Sequence, residues 1–572
     1  MGNLTYFLHS LLFGPMFNLN LRNIKGDFFG GITAAVVALP LALAFGVSSG
    51  AGAIAGLYGA IIIGFFAALF GGTPSQISGP TGPMTVVIAT VFATLVHGDP
   101  EKMSIGFAVI VLGGIFQILF GILKLGKYIT LMPYTVISGF MSGVGFIIIF
   151  LQLGPFFGHP ASSGVVESIK NFPEYIRDYN PAAVILGLLT LGIVFLTPKK
   201  ITRLIPSPLL ALIIGTTVAT VIFPDQGLNL IGEIPRGLPS LRLPAFPLDR
   251  LREMIGYGLM LAMLGSIDSL LTSLVADNIT RTNHDSDREL IGQGIGNMLS
   301  GLCGGLPGAG ATMRTVINVK TGGKTPISGM IHALILLMVV LGAGGFTKNI
   351  PHAVLAGILI KVGIDIIDWS FLQRAHKISA KATAIMYIVL LLTVFDDLIK
   401  AVAIGAFLAN LLTLKRLSDL QSANVKAITN PDDDLNLNVA ERHILRQAGG
   451  KILLFSLGGP MSFGAAKTIS QRMGLVNNCE VIILDLADVP MIGVTASLAI
   501  ENTIKDARRQ NRQIYLVGAK GQVRERLAKM KLLQLVPPEN HFQERIFALE
   551  KAIAHIESTV ESRKAIAKVG RL

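Results

Sequence analysis

Residues 78–87 read SGPTGPMTVV and residues 307–316 read PGAGATMRTV. Each stretch interrupts a strongly apolar chain with glycine and proline, carries a threonine among small residues, contains a methionine and runs into apolar sequence. Glycine and proline inside a membrane helix free backbone N–H and C=O groups that hydrocarbon cannot satisfy, so such backbone survives only where protein buries it or where it lines a wet cavity. Matching Met84 with Met313 puts Gly79 opposite Gly308 and Thr81 opposite Gly310, so the breaks occupy corresponding places in two halves of the chain. Half-helices that begin near the bilayer midplane aim their N-terminal N–H groups, each end worth about half a positive charge, at a point between the repeats. Two facing N-termini predict an anion site.

The rest of the composition supports a membrane setting. Of 572 residues, 51% are hydrophobic and 15% charged, against roughly 25% charged in soluble domains. Apolar runs near 28–47, 53–71, 81–97, 104–123, 131–154, 181–197, 205–223, 254–276, 289–306, 310–320, 326–345, 351–367, 382–396 and 397–414 predict an α-helical polytopic membrane protein of about fourteen transmembrane segments, the third and tenth too short to span alone. Seven helices per half make the repeat inverted, a 7+7 arrangement. Basic residues cluster at alternate ends, as at Lys25, Lys124, Lys199, Arg281, Lys320, Lys377 and Lys415, which predicts cytoplasmic N- and C-termini and explains the net charge of +13 without nucleic acid. Cys303 and Cys479 supply neither a disulfide framework nor a cysteine metal site. The amphipathic start MGNLTYFLHSLLFGPMF predicts an interfacial helix rather than a signal peptide. The expected order is an N-terminal cytoplasmic segment 1–27, a transmembrane transporter domain 28–420, a linker 421–448, an α/β domain 449–560 and a tail 561–572. KILLFSLGG and EVIILDL are the strand-like runs of that α/β domain, between amphipathic helical patterns.

Within MLGSIDSLLTSLVADN, Asp268 lies deep in an apolar run with Thr272 one helical turn on, on the same face. A carboxylate at membrane depth costs several kcal/mol unless paired, so it marks an ion or proton site. Asp268, the Thr272 hydroxyl and carbonyls freed around Gly310 are the hard oxygen ligands an alkali cation prefers; a proton on Asp268 is the other reading. Arg314 is able to lend charge to the anion, or to snorkel or pair with Asp268. Asp277, Asp285, Asp287, Asp396 and Asp397 fall in polar connections and read as solvated faces, and His284 and His376 lack a metal-ligand cluster. GTPSQ and KTGGKT miss the full phosphate-loop spacing, so ATP hydrolysis, and enzyme activity generally, has no support.

The runs KGDFFGGITAAVVALPLALAFG and RELIGQGIGNMLSGLCGGLPGAGATMRTVINVKTGGKTPISG, with a STAS-like C-terminal domain, resemble the sulfate permease (SulP) anion transporter family over essentially the whole chain. TGPMTVV, GSIDSLLTSLVADN and GAGATMRTVINV are most similar to its sodium-dependent bicarbonate transporters. The resemblance implies a core domain of spans 1–4 and 8–11 moving against a gate domain of spans 5–7 and 12–14, a homodimer assembled through the STAS domain, and a place in a bacterial inner membrane. It puts Thr81 at a bicarbonate site and Asp268, Thr272, Gly310 and Thr312 at a sodium site; Gly79, Gly82, Ala311 and Arg314, from the two broken segments, are the further residues expected around the anion. No cofactor is implied beyond the co-transported sodium ion. The expected function is a sodium-coupled bicarbonate symporter; a proton-coupled sulfate or dicarboxylate transporter and an uncoupled anion channel are the alternatives. Where STAS domains of the family read VPxIDxTG, this chain reads VPMIGVTAS, with Gly493 for the acid and Ala496 for the glycine, so a phosphorylation switch at Thr495 is not expected.

Overall fold

The computed structural model describes residues 23–569 apart from 97–98, 130–132, 163, 203–204, 225, 233–236, 242, 343–347, 397, 431–436 and 476–478. The expected interfacial helix at the N-terminus and the acidic Asp397 lie outside the described residues. The chain forms two compact units, Met1–Ala409 and Asn410–Leu572.

The first unit is helical. Its main elements are α1 Ile24–Ser48, α2 Ala53–Phe70, β1 Ser78–Gly79, α3 Gly82–Val91, α4 Met103–Ile122, α5 Tyr134–Leu151, α6 Val165–Arg177, α7 Pro181–Leu196, α8 Ser207–Ile222, α9 Leu251–Thr280, α10 Ser286–Leu302, β2 Ala309–Gly310, α11 Thr312–Thr321, α12 Pro326–Gly342, α13 His352–Ile366, α14 Trp369–Ile378, α15 Ala380–Phe395 and the first part of α16 Leu398–Ala423, which continues past the unit's end at Ala409. Each of the fourteen apolar segments read from sequence falls on one of these helices; α6 and α14 are additional amphipathic helices. Among the described residues, six helices are long and apolar enough to cross a membrane alone, and two pairs, α6 with α7 and α11 with α12, are bent by 114° and 111°. At about 1.5 Å per residue the ten-residue α3 and α11 each traverse about half of a bilayer core. A π-helical turn, Phe92–Val96, extends α3.

Helices α1–α4 and α9–α12 pack against one another as one group, and α5, α7, α8, α13 and α15 as another, the core and gate partition that the family resemblance implies. Small residues set the closest approaches. A Cβ on Gly114 of α4 would lie 2.6 Å from the Gly294 carbonyl of α10, and a Cβ on Gly294 would lie 2.6 Å from the Gly114 carbonyl, so both positions need glycine for the backbones to touch.

The second unit is a five-stranded sheet in the order β3-β4-β5-β6-β7, formed by Val425–Ile428, Ile452–Gly458, Val481–Asp488, Gln513–Val517 and His541–Phe542. β3 runs antiparallel to β4 and the other neighbours are parallel. Successive strand residues point to opposite faces. Ile482, Leu484 and Leu486 therefore enter the cluster covered by α18 Phe463–Leu475, α19 Val494–Arg509 and α20 Gly521–Lys529, whereas Val481 and Ile483 enter the one covered by α17 Val439–Gln447 and α21 Arg545–Val569. This arrangement corrects two boundaries. Residues 421–448 are not a free linker, because β3 is the sheet edge and Leu437 and Leu445 are core residues; the helix of the expected tail continues to Val569. Asp485, buried on β5, accepts from Arg545 Nε at 2.6 Å, and Glu441 of α17 stands 3.6 Å from the same guanidinium. Burial alone lowers the Arg545 pKa; the Asp485 and Glu441 carboxylates more than offset it and hold it above the ordinary range.

Candidate functional site

The two broken segments meet. Ser78 pairs with Gly310 and Gly79 with Ala309 in a two-residue antiparallel ladder, and Ala311 N–H donates to the Ile77 carbonyl at 2.8 Å to extend it. Immediately after the ladder both chains turn into helix, with Thr81 and Ala311 as N-caps. Neither cap supplies a side-chain acceptor, so both first turns keep orphan N–H groups directed at the junction. The N-caps correct the sequence register by one residue: Ala311, not Gly310, stands opposite Thr81, and Arg314 stands opposite Met84. The methionine match fails because Met84 is 1% exposed in the core whereas Met313 is 67% exposed on the other side of its helix.

The expected cation ligands converge on this junction. Thr272 Oγ1 of α9 donates to the Gly310 carbonyl at 3.0 Å and lies 2.7 Å from Thr312 Oγ1. Gly310 N–H donates to Ser269 Oγ at 3.0 Å, which ties β2 to α9 one residue after Asp268. Asp268, half-buried, lies near Thr81 and within electrostatic range of Arg314, without forming an ion pair to it. Arg314 does not snorkel: it is 3% exposed and donates through Nη2 to the Pro80 carbonyl at 2.7 Å. A Cβ on Gly79 would lie 2.8 Å from Arg314 Nη1, so that glycine admits the guanidinium. The Thr81 hydroxyl is buried and, although Asp268 is near, has no partner of hydrogen-bonding geometry among the described residues. Gly82 has different surroundings from the other expected anion residues, since the space its side chain would take is filled by Ile366 and Ile148.

A buried polar scaffold behind the junction was not foreseen. Glu289 Oε2 accepts from the Gly72 and Thr73 N–H groups, both at 2.9 Å, and its Oε1 accepts from Gln76 Nε2 at 2.7 Å and Gln293 Nε2 at 2.8 Å. Gln293 also donates to Ser78 Oγ of β1, and Ser273 donates to Gln76 Oε1. Asn297 clamps Gly308 from both sides, donating to its carbonyl at 2.9 Å and accepting from its N–H at 2.8 Å. The signal was present as a polar stripe of period four, Glu289, Gln293 and Asn297, running from the charged first turn into the apolar, glycine-rich part of α10. The acids read as solvated faces serve local structure: Asp277 bonds His284, Asp285 caps α10, and Asp287 accepts from Gly126 N–H.

Two half-helices abutting inside a core-and-gate bundle, with an attached α/β domain, define a helical membrane transporter of the anion-permease type. The sulfate permease family model matches residues 24–389 and the STAS domain model residues 444–545; the chain belongs to the sulfate permease family. It is 52% identical over 544 residues to bicarbonate transporter BicA of Picosynechococcus sp., a match covering 94% of this chain and 96% of that protein. The transmembrane domain of a cyanobacterium BicA is 55% identical and superposes with a TM-score of 0.63, covering 67% of this chain and 98% of that one. SLC26A9, at 18% identity, shares the fold with a TM-score of 0.82 over 98% of this chain and 95% of that chain.

Proposed function

We propose that this chain is a sodium-coupled bicarbonate symporter of a bacterial inner membrane, with cytoplasmic termini, assembled as a homodimer through its STAS domain and working by alternating access of core against gate. The carrying observation is the adjacency of two ligand environments on one ladder: uncapped helix starts at Thr81 and Ala311, and the oxygen cluster of Thr272, Gly310 and Thr312. Oriented N–H groups and the free Thr81 hydroxyl suit an oxyanion that has several acceptor atoms and one O–H donor. Hydroxyl and carbonyl oxygens with the Asp268 carboxylate suit a hard monovalent cation. A cation beside Asp268 lowers the electrostatic cost of placing the anion nearby, which is the physical content of coupling. The similarity to proteins named bicarbonate transporters supports the choice of anion.

One observation favours a second reading. The half-buried Asp268 carboxylate makes no ion pair among the described residues, so a bound proton can offset its charge in place of sodium. Uptake of labelled bicarbonate into proteoliposomes, with a sodium gradient, with a proton gradient and with neither, decides between them. Sodium-driven accumulation is expected; accumulation driven equally by protons without sodium would overturn the coupling, and equal passive flux in all three conditions would make the protein a channel.

A further inference from the structure

Gly82 opens the half-helix α3 one residue after Thr81, yet its missing side chain faces no polar group. A Cβ built there would lie 2.6 Å from Ile366 Cδ1 and 3.0 Å from Ile148 Cδ1, with Phe45 Cζ at 4.0 Å. Ile366 is the last residue of α13 and Ile148 lies on α5, both in the gate group, whereas α3 is in the core group. The closest gate contact on the half-helix start is therefore two isoleucines seated where a side chain would have stood.

The two isoleucines stand on helices whose backbones touch. A Cβ on Gly145 of α5 would lie 2.6 Å from the Gly363 carbonyl of α13, and one on Gly363 would lie 2.8 Å from the Gly145 carbonyl. This backbone contact, within one turn of both isoleucines, makes α5 and α13 a single element there. One turn along α3 from Gly82 begins a cavity of about 1070 Å³ whose lining includes Val86, Ala89, Thr90, Ile147 and Thr393. Ile147 faces that cavity while its neighbour Ile148 is buried against Gly82.

We infer that Ile148 and Ile366 form an apolar plug, seated in a socket made by Gly82, that separates the anion site from this cavity and suppresses anion movement outside the coupled cycle. The inference rests on the transport reading above. Methyl groups offer an ion nothing in exchange for its hydration, so a constriction of this kind is an electrostatic barrier while it is closed. The socket is glycine because any side chain at position 82 occupies the plug's place.

The test uses the full chain in proteoliposomes. Ile366→Ala and Ile148→Ala should raise sodium-free bicarbonate flux about tenfold, the change that about 1.4 kcal/mol off a barrier produces, while sodium-driven accumulation falls. Gly82→Ala should depress uptake, and Gly82→Ala with Ile366→Ala should recover much of the loss, because the second change vacates the space the first fills. Sodium-free flux at the wild-type level in both isoleucine variants, or a double variant no better than Gly82→Ala, would overturn the plug. Absence of bicarbonate uptake by the wild type would instead count against the transport reading. Accessibility decides the plug independently of the ion carried: in a Cys303→Ala, Cys479→Ala background, a charged thiol reagent supplied from the cavity side should label Thr81→Cys faster when Ile366→Ala is added. An unchanged labelling rate would refute it.

Discussion

Glu289→Gln is the substitution that most directly tests whether the buried scaffold holds the site. The carboxylate accepts four N–H bonds, two on each oxygen. Glutamine keeps the shape but offers one acceptor oxygen, so whichever way the amide lies, two of the four donors face its NH₂ group. Each buried donor left without an acceptor costs about 1–3 kcal/mol, giving a destabilisation of about 2–6 kcal/mol against total stabilities of about 5–15. Gln76 can turn to compensate only if the Ser273 hydroxyl reverses to accept from it and donates to the Ser269 carbonyl, and the Gln76 amide is the wall against which Gly310 packs. The variant should therefore unfold at lower temperature in detergent, and its surviving folded fraction should bind sodium more weakly. Thermal unfolding followed by size-exclusion chromatography, with sodium-dependent uptake per folded molecule, measures both. An unchanged melting temperature together with unchanged uptake would show that the network is not what positions Gly310.

Asp268→Asn should abolish sodium stimulation with little loss of folded protein, since it keeps shape and removes the attracting charge; Thr272→Val should weaken sodium dependence less, and the reverse order in a sodium titration would displace the site. Thr81→Val should raise the apparent KM for bicarbonate with a smaller effect on kcat, because it removes a hydroxyl donor at the uncapped start of α3; an unchanged KM moves the anion elsewhere. A soluble fragment of residues 424–569 should melt cooperatively by circular dichroism, whereas residues 449–560 alone should aggregate for want of β3 and α17; equal behaviour would restore the linker. Thr495→Ala and Thr495→Asp should both transport as wild type, since Thr495 is an exposed residue in the first turn of α19 with no adjoining acidic motif; opposite effects on uptake would revive a phosphate switch.

What was legible in the sequence was whatever hydrocarbon makes obligatory. Twenty-residue apolar runs, two matched breaks and a carboxylate deep in an apolar run have few other uses in a bilayer; the helices and the meeting of the two breaks follow from them, whereas the ladder that joins the breaks does not. Register was less legible because it depends on which way a side chain turns: Met84 and Met313 look equivalent in sequence, but one packs inward and the other outward. Glu289 was not legible because it sits three residues into a helix that begins with SDRE, where an acid is ordinary, and the loop it satisfies, Gly72–Thr73, is more than 200 residues away in sequence. The stretch 421–448 misled for the opposite reason. Its polar composition is that of a linker, and only the four-residue strand Val425–Ile428, too short to stand out, commits it to the sheet.

The ladder between Ser78–Gly79 and Ala309–Gly310 makes the first turns of both half-helices one piece of backbone. Under the proposed coupling, the donors facing the anion and the carbonyl facing the cation then belong to a single covalently and hydrogen-bonded body, and neither ion can be held without biasing the place of the other. The two occupancies are therefore reciprocal effectors: whatever factor sodium contributes to bicarbonate affinity, bicarbonate returns to sodium affinity in full. A dissociation constant for either ion is then a function of the other's concentration, and it becomes a constant of the protein only at the two corners of the cycle where the second ion is absent or saturating.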